Sequence, residues 1–193
     1  VKSLSWDYPK DKNCTKYFGE YFFADILVGY LDYASANFCQ KSLLSGKDYV
    51  GKIKCRYYLG TNLEGEPILE KEYKKIDFEL VNVPPEKEVP TYNFSAIFEG
   101  KINLTKKVSL LVENDDGVRV YIDNKLVFDD WNNHGAIIMP IGEFEKGIHD
   151  LKIEYYQAGG EAFLKLFKST YDYSKQNKMY LPEGEWLNPF NGK

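Results

Sequence analysis

The sequence predicts an all-β protein built as a β-sandwich or barrel. Across residues 53–168, short apolar segments alternate with turn residues, and no stretch keeps a helical period over three turns. Hydrophobic residues make up 44% and aromatic residues 16% of the 193-residue chain, which is enough apolar material for a packed core. Many short strands divided by turns are typical of two packed sheets or one closed sheet.

The strands of the central part can be assigned in order from their apolar and β-branched residues. Residues 83–90 are rich in proline and form a connector, because proline cannot donate to a sheet ladder. Ala158-Gly159-Gly160 predicts a further chain reversal. The predicted strands are residues 53–59, 78–81, 92–98, 108–112, 118–122, 126–128, 151–155 and 162–166.

The clearest hairpin lies at residues 118–129. Apolar and polar side chains alternate over residues 118–123, and Asp123-Asn124 then turns the chain into a second apolar segment. Residues 151–155 alternate in the same way, which predicts a strand with one buried face.

The two ends of the chain differ from this centre. Residues 1–50 combine a polar start with an apolar segment at 21–31, and residues 170–193 contain a strand-like segment at 179–186. Domain termini often lie close together, and domains are commonly inserted into loops. We therefore expect the two flanks to form a small β stem and residues 51–169 to form an inserted module.

Charge and hydropathy argue against two classes of partner. The net charge is −4 and the lysines are scattered among acidic residues, so nucleic acid is not an expected partner. The longest apolar stretch, residues 21–33, is interrupted by Asp25 and Asp32 and is too short to span a bilayer. Mean hydropathy is −0.46, so we expect no membrane insertion.

The sequence also argues against catalysis by this chain. His134 and His149 are the only histidines, no nucleophile–histidine arrangement can be argued, and no glycine-rich phosphate motif is present. Asp115 and Asp116 are adjacent, whereas the two carboxylates of a glycosidase flank the scissile bond about 5–9.5 Å apart. We expect a binding module and no catalytic residues.

The three cysteines, Cys14, Cys39 and Cys55, form an odd set without metal-type spacing. One disulfide with a free thiol and three reduced thiols both fit. Unpaired thiols that pack as small hydrophobic side chains are the simpler interpretation.

The most informative segment is Glu113-Asn114-Asp115-Asp116-Gly117, which lies between two predicted strands. Its clustered side-chain oxygens are what calcium requires, and calcium takes about 6–8 oxygen ligands. Neighbouring strand residues point to opposite faces, so both aspartates reach one ion only through a sharp turn or a cis peptide. The alternative is a plain Asp-Gly turn with solvated acids.

Two further segments could line the same site. Trp131 could stack on a sugar face, while Asn132, Asn133 and His134 could hydrogen-bond to hydroxyl groups. Alternatively, Trp131 belongs to the core and its neighbours form a polar loop. Residues 157–161, which begin with Gln157, could form another wall of the site or a simple hairpin turn.

Residues from about 55 to 168 resemble the PA14 domain, a β-barrel module of anthrax protective antigen, yeast adhesins and bacterial glycosidases. The resemblance implies a carbohydrate-binding module in which two consecutive aspartates, joined by a cis peptide, hold a calcium ion that contacts the sugar. It therefore assigns Asp115 and Asp116 to calcium, with Asn132, Asn133 and Gln157 as candidates for further contacts. The matching segments are Arg56-Tyr57-Tyr58, Asn62-Leu63-Glu64-Gly65, Ile76-Asp77-Phe78, Asn93-Phe94-Ser95, residues 114–127, Trp131, His134-Gly135 and residues 149–155.

The flanks resemble a different family, the family 31 glycoside hydrolases just after their catalytic barrel. The matching segments are Tyr8-Pro9-Lys10-Asp11, residues 19–28, and Tyr180-Leu181-Pro182-Glu183-Gly184-Glu185-Trp186 with Gly192. Val28-Gly29-Tyr30 departs from that family's pattern, and the barrel segments with the catalytic aspartates are absent. The resemblance implies a longer α-glycosidase parent, whose catalytic domain would be a partner of this module.

These observations leave three hypotheses for function. The first is a calcium-assisted module that binds an oligosaccharide or polysaccharide for the parent enzyme. The second is a structural insert that shapes the rim of the parent's active site, and the third is a protein-interaction module. Self-association through the apolar segment at 21–31 is a further expectation. The compartment stays open, with an extracellular or cell-surface location favoured.

Overall fold

The computed structural model describes residues 41–169 and two short strands nearer the C-terminus, at 179–180 and 186–187. The chain divides into two compact units, one of which comprises Ser42–Thr170 and the other the remaining residues from both ends. The N-terminal part of the predicted stem and the apolar segment at 21–31 lie outside the described residues. In the C-terminal flank, Met179–Tyr180 pairs with Trp186–Leu187 in an antiparallel arrangement.

The larger unit consists of antiparallel strands, and the described residues contain no helix. Accordingly, no helix in the described part of the chain could cross a membrane. The prediction of an all-β fold is confirmed. The strands are β1 (Lys41–Leu43), β2 (Ile53–Leu59), β3 (Leu69–Tyr73), β4 (Asp77–Leu80), β5 (Phe94–Leu104), β6 (Val108–Asn114), β7 (Val118–Ile122), β8 (Lys125–Asp130), β9 (Ile137–Phe144), β10 (Gly147–Gln157), β11 (Ala162–Ser169), β12 (Met179–Tyr180) and β13 (Trp186–Leu187).

Eleven of these strands form two sheets. Sheet I has five strands, in which β1 and β4 both pair with β11, followed by β6 and β9. Sheet II has six strands in the order β3, β2, β5, β10, β7 and β8. The core contains the alternating apolar side chains of both sheets, and each side chain that is fully buried stabilises the fold by about 1.5–3 kcal/mol. Core members include Tyr57, Phe94, Phe98, Leu110, Val120, Ile153 and Leu166.

Three strands of the two sheets, β1, β3 and β9, were not predicted, and all three lie at sheet edges. The sequence of β3 is LEKEY, and its charges mask the strand while protecting an exposed edge from unwanted pairing. Strand β9 contains Pro140 and Gly142, and its pairing with β6 shifts register between Leu110 and Leu111. Proline and bulges are tolerated at an edge, so tertiary position overrides the local breaker signals.

The longest strands, β5 and β10, determine where the candidate site lies. They pair continuously from Gly147 opposite Leu104 to Gln157 opposite Phe94. Past Gln157 the chain leaves sheet II, and at this same end β6 continues into β7. Three loops that link the two sheets therefore converge there, namely residues 114–117, 131–136 and 158–161. We call this the site end of the sandwich.

Cys55 lies in β2 with only 1% of its surface exposed, and its thiol is free. Burial raises the pKa of this thiol well above its ordinary value. Cys55 thus packs as a small hydrophobic residue. Cys14 and Cys39 lie outside the described residues.

Candidate functional site

The loop from Asn114 to Gly117 makes a sharp turn as the chain passes from sheet I to sheet II. Asp116 has a φ of 56°, in the left-handed region that a short polar side chain such as aspartate tolerates better than most. The described residues contain no cis peptide bond, so the cis linkage that the resemblance implied between the two aspartates is absent. Of the two predicted geometries, the sharp turn is the one that the chain adopts.

Asp116 is buried and its carboxylate accepts hydrogen bonds from two other loops. Oδ1 accepts the backbone N–H of His134 at 3.2 Å, and Oδ2 accepts those of Ala158 at 2.8 Å and Gly159 at 3.3 Å. The backbone N–H of Asp116 in turn donates to the carbonyl of His134 at 3.0 Å. One residue therefore connects all three loops of the site end.

Asp115 is also buried, at 7% exposed, but its carboxylate has far weaker support. The hydrogen bond described for this carboxylate is a long one, 3.4 Å from Gln157 Nε2 to Oδ1. Desolvation raises the pKa of Asp115 to about 6, and the nearby negative charges of Asp116 and Glu161 act in the same direction. The protein thus buries a carboxylate whose described hydrogen bond is weak.

Asn114 supplies a second buried polar group whose hydrogen bonding is incomplete. Its Nδ2 donates to the carbonyl of Asp116 at 2.7 Å, which braces the turn, and also lies 3.3 Å from His134 Nε2. Its Oδ1 is buried and has no hydrogen-bond partner. A buried acceptor without a donor is costly, so this oxygen is suited to contact a ligand group.

Gln157 is fully buried, and both ends of its amide are occupied. Its Nε2 donates to the carbonyls of Gly159 at 2.6 Å and Glu161 at 2.9 Å, and its Oε1 accepts the Tyr155 hydroxyl at 2.6 Å. These contacts hold loop 158–161 beneath Asp115. Whether Gln157 also contacts a sugar stays a prediction.

His134 joins the loop after β8 to the turn. Its Nε2 lies 2.9 Å from Asp130 Oδ2, and its Nδ1 lies 2.7 Å from the carbonyl of Gly135. Both ring nitrogens therefore face oxygen atoms, which fixes the ring orientation. The neighbouring Asn132 is exposed, and its Nδ2 donates to Asp130 Oδ1 at 3.1 Å.

Tyr156 supports the aromatic side of the site. Its hydroxyl donates to Asn133 Oδ1 at 2.6 Å, and its ring meets Trp131 in a T-shaped contact at 4.7 Å. The Arg119 guanidinium lies 4.3 Å from the Trp131 ring centroid, which is a cation–π distance. The Tyr156 ring also covers Gly117, where an added Cβ would lie 1.9 Å from Cε1. Trp131 is thus partly buried, held on the outer side of sheet II.

The structure therefore brings most of the predicted site residues together. Asp115 is hydrogen-bonded to Gln157, and Asp116 to His134. Asn133 and Trp131 both contact Tyr156, whose backbone N–H donates to the carbonyl of Gly117 in the same turn. Sequence reasoning missed Tyr156, which lies one residue past the predicted strand 151–155, because its role depends on pairing with a chain segment about forty residues away.

The donor set fits a hard cation in part. The Asp115 carboxylate and Asn114 Oδ1 are buried oxygens with inadequate donors, which is the environment that a calcium ion would relieve. The Asp116 carboxylate, in contrast, already accepts three N–H groups. Among the described residues, no group of three or more His, Cys, Asp and Glu side chains is arranged to hold a metal.

The fold and this site define a class of protein. It is an antiparallel sandwich that displays a cluster of polar and aromatic loop residues at one end. The PA14 domain family model matches residues 51–181, and this chain belongs to that family. The assignment agrees with the expectation of a non-catalytic module.

The chain is similar to parts of proteins named as anti-sigma factors or as containing anti-sigma factor domains. The anti-sigma-I factor RsgI3 of Acetivibrio thermocellus is 30% identical over 149 residues, which cover 72% of this chain and 22% of that protein. An anti-sigma factor domain-containing protein from Clostridium clariflavum is 29% identical with a TM-score of 0.52, over 62% of this chain and 42% of its own. Another such structure has a TM-score of 0.56 at 22% identity, covering 68% and 46%. The chain thus spans about a fifth of the curated relative.

These relatives bear on the predicted parent. The two relatives at 29–30% identity are an anti-sigma factor and an anti-sigma factor domain-containing protein, and they do not support a parent in family 31 of the glycoside hydrolases. The flanking motifs that suggested that family lie almost entirely outside the described residues. The PA14 part of the resemblance is confirmed, whereas the hydrolase part stays a prediction.

Proposed function

We propose that this chain is a non-catalytic carbohydrate-binding module, assisted by calcium, whose ligand site is the three-loop junction at the site end. The observation that carries the proposal is the buried Asp115 carboxylate, whose one described hydrogen bond is long. A protein tolerates such a group where a ligand completes its environment.

The surroundings of Asp115 suit a sugar. Asn132 and Asn133 are exposed amides that can donate to and accept from hydroxyl groups, and Trp131 offers a partly exposed indole. Tyr156 orients Asn133, and Arg119 orients Trp131, so both are held in defined positions before a ligand arrives. Ordered polar groups beside an aromatic ring are typical of sites that recognise hydroxyl-rich ligands.

In this proposal calcium supplies positive charge between Asp115 and the sugar hydroxyls. The chain would hold it through the Asp115 carboxylate, with Asn114 Oδ1 and loop carbonyls as further oxygen donors. Water and sugar hydroxyls would complete the six to eight ligands that calcium takes. The positive ion would also favour the ionised form of Asp115.

A second candidate concerns the protein to which the module belongs. The anti-sigma factor relatives favour a regulatory parent, in which the module would report the presence of a polysaccharide. The flank motifs favour a family 31 α-glycosidase, in which it would hold the glycan near the catalytic domain. The sugar-binding role is common to both.

The test is calorimetric titration of calcium into the chelator-treated chain, followed by a glycan array with and without calcium. We expect calcium to bind and to increase glycan binding. Calcium at a hundredfold excess over its dissociation constant would also stabilise the fold by about 2.7 kcal/mol. Asp115→Asn should lose these responses, whereas the control Asp150→Asn, an exposed aspartate at the opposite end, should keep them.

Two results would contradict the proposal. If neither calcium nor any glycan binds the wild-type chain, the structural-insert hypothesis becomes the better account. If a protein partner is retained in the presence of chelator while glycans are not, the interaction-module hypothesis is favoured instead.

A further inference from the structure

Asp115 and Asp116 are adjacent, buried and of the same chemistry, yet they contact different groups. The carboxylate of Asp116 accepts three backbone N–H groups, whereas that of Asp115 has one long contact with a side-chain amide. Adjacent carboxylates with such unequal hydrogen bonding should have unequal roles.

We propose that Asp116 is a positioning residue, which joins the three loops of the site before any ligand arrives, and that Asp115 is the carboxylate that meets the ligand. The role given to Asp115 rests on the proposed function. The role given to Asp116 concerns the ligand-free protein and is independent of that function.

The contacts of Asp116 have the pattern of a structural clamp. Its backbone N–H donates to the His134 carbonyl at 3.0 Å, while its Oδ1 accepts the His134 N–H at 3.2 Å, so the two residues are joined in both directions. Its Oδ2 accepts the N–H groups of Ala158 and Gly159 from the third loop. These are backbone donors in loops that have no strand partner there, and backbone donors are rarely left unpaired inside a protein.

The turn itself directs the Asp116 carboxylate toward these loops. The left-handed φ of 56° at Asp116 reverses the chain, and Asn114 Nδ2 secures the reversal through the Asp116 carbonyl at 2.7 Å. A carboxylate bonded to three N–H groups has most of its acceptor capacity occupied. A ligand or cation that used Asp116 directly would have to release some of these donors.

Asp115 has the complementary properties. Its backbone is held by the N–H, which donates to the Phe163 carbonyl at 3.0 Å. Its carboxylate accepts one long hydrogen bond and can accept more. Gln157, which makes that long contact, is itself held by Tyr155 and by two carbonyls of the third loop. Gln157, which contacts Asp115, is therefore held in place before any ligand binds.

Amide hydrogen exchange in chelator, with the whole chain, tests the positioning role. In the wild type we expect the amides of His134, Ala158 and Gly159 to be protected without calcium. Asp116→Ala should accelerate their exchange by about tenfold or more. Asp116→Asn should have an intermediate effect, since its single side-chain oxygen can serve one loop but not both. Asp115→Asn should not accelerate exchange at the three amides.

Calcium alone serves as the ligand probe in the second measurement. Asp115→Asn should reduce calcium affinity by at least about tenfold while the three amides stay protected, because the loss is of a contact and not of the loop arrangement. If Asp116→Ala fails to fold, the comparison of Asp116→Asn with Asp115→Asn carries the test.

Protection that develops in the wild type only when calcium is added would overturn the positioning role and make Asp116 a ligand. Equal acceleration of the three amides in Asp115→Asn would overturn the division of roles. If calcium does not bind the wild type, the ligand role of Asp115 fails with the proposed function. The exchange data in chelator still decide the role of Asp116 in that case.

Discussion

At the site end of the sandwich, Asp115 and Asp116 are buried side by side, whereas at the opposite end Asp123 and His149 form an ion pair close to the surface. His149 Nδ1 lies 2.7 Å from Asp123 Oδ2, and its Nε2 lies 2.9 Å from the carbonyl of Glu145. Asp123 Oδ1 also accepts the backbone N–H of Asp150 at 2.9 Å. Both members of this pair thus have close hydrogen-bonding partners.

The two ends differ in the direction of their pKa shifts. The pKa of Asp115 is raised because burial removes water from its carboxylate. The pKa of His149 is raised and that of Asp123 is lowered, in both cases chiefly by the hydrogen bond between them. The opposite end therefore gains stability from its charges, whereas the site end loses stability by holding Asp115 ionised. Buried charges that lower the stability of the folded protein are concentrated at ligand-binding sites.

Gly117 should give the largest effect of any change at the site end. Gly117→Ala would put a Cβ 1.9 Å from Cε1 of Tyr156, whose ring is fixed by Asn133 and Trp131. Because the ring cannot move without losing these contacts, we expect a loss of about 3 kcal/mol or more of unfolding free energy. Chemical denaturation of the variant measures it.

Gly135→Ala is the matched control, since an added Cβ there has no heavy atom within 4 Å. It should change stability by less than about 0.5 kcal/mol. Adding Tyr156→Ala to Gly117→Ala should recover part of the lost stability relative to the sum of the two single changes. A strictly additive double variant would show that the ring is not the obstacle.

Asp115→Asn should stabilise the calcium-free protein at neutral pH. A folded pKa of about 6, above the ordinary 3.8, means that the native state binds the proton more tightly, so stability falls as pH rises between these values and then stays level. Asparagine carries no charge to desolvate, so we expect a gain of about 1–3 kcal/mol at pH 7. Thermal unfolding in chelator at pH 4 and pH 7 measures it.

Most of the gain should be lost near pH 4, because Asp115 is then protonated in the native state and partly protonated in the unfolded state. A gain of equal size at both pH values would point to packing and not to charge. A loss at pH 7 would mean that the carboxylate is already stabilised in the free protein, which would remove the contrast between the two ends.

His149→Gln should give the smallest effect, at the opposite end. Because the pKa of His149 is raised in the folded protein, its contribution to stability is fully present below about pH 6.5. That contribution is lost as pH rises through the pKa of the folded state. The lowered pKa of Asp123 means that its own contribution is lost in acid. We expect a loss of about 1 kcal/mol or less near pH 5.5 and a smaller one at pH 9.

Unfolding curves at the two pH values, with Asp123→Asn as the partner variant, check this expectation. The double variant should lose no more than the larger single loss, since both changes remove the same pair. A loss that grows toward pH 9 would contradict the assigned ion pair.

Local chemistry explains which strands could be predicted. Hairpin β7–β8 was recognised because its side chains alternate and Asp123-Asn124 supplies two residues with positive φ, 52° and 62°, as its turn requires. Strand β9 was missed because Pro140 and Gly142 break the local pattern, and only its edge position makes them acceptable. A strand can be predicted from the sequence when the residues that specify it lie within a few positions of each other.

The candidate site follows the same rule. The pair of carboxylates at Asp115 and Asp116 could be recognised because the two residues are adjacent in the sequence. The polar segment from Trp131 to His134 could be recognised in the same way. The separate roles of the two aspartates could not, because they depend on which of them meets the N–H groups of His134, Ala158 and Gly159.

The all-β class, the main strands and the acidic turn were thus decided by the amino-acid sequence, because alternation, turn residues and charge act over short distances along the chain. The convergence of three loops, the burial of a weakly hydrogen-bonded carboxylate at Asp115 and the packing of the Tyr156 ring over Gly117 were decided by tertiary structure. They arise where strands β6 and β10 end and β7 begins, and the packing of distant segments, not local preference, determines which polar groups find partners.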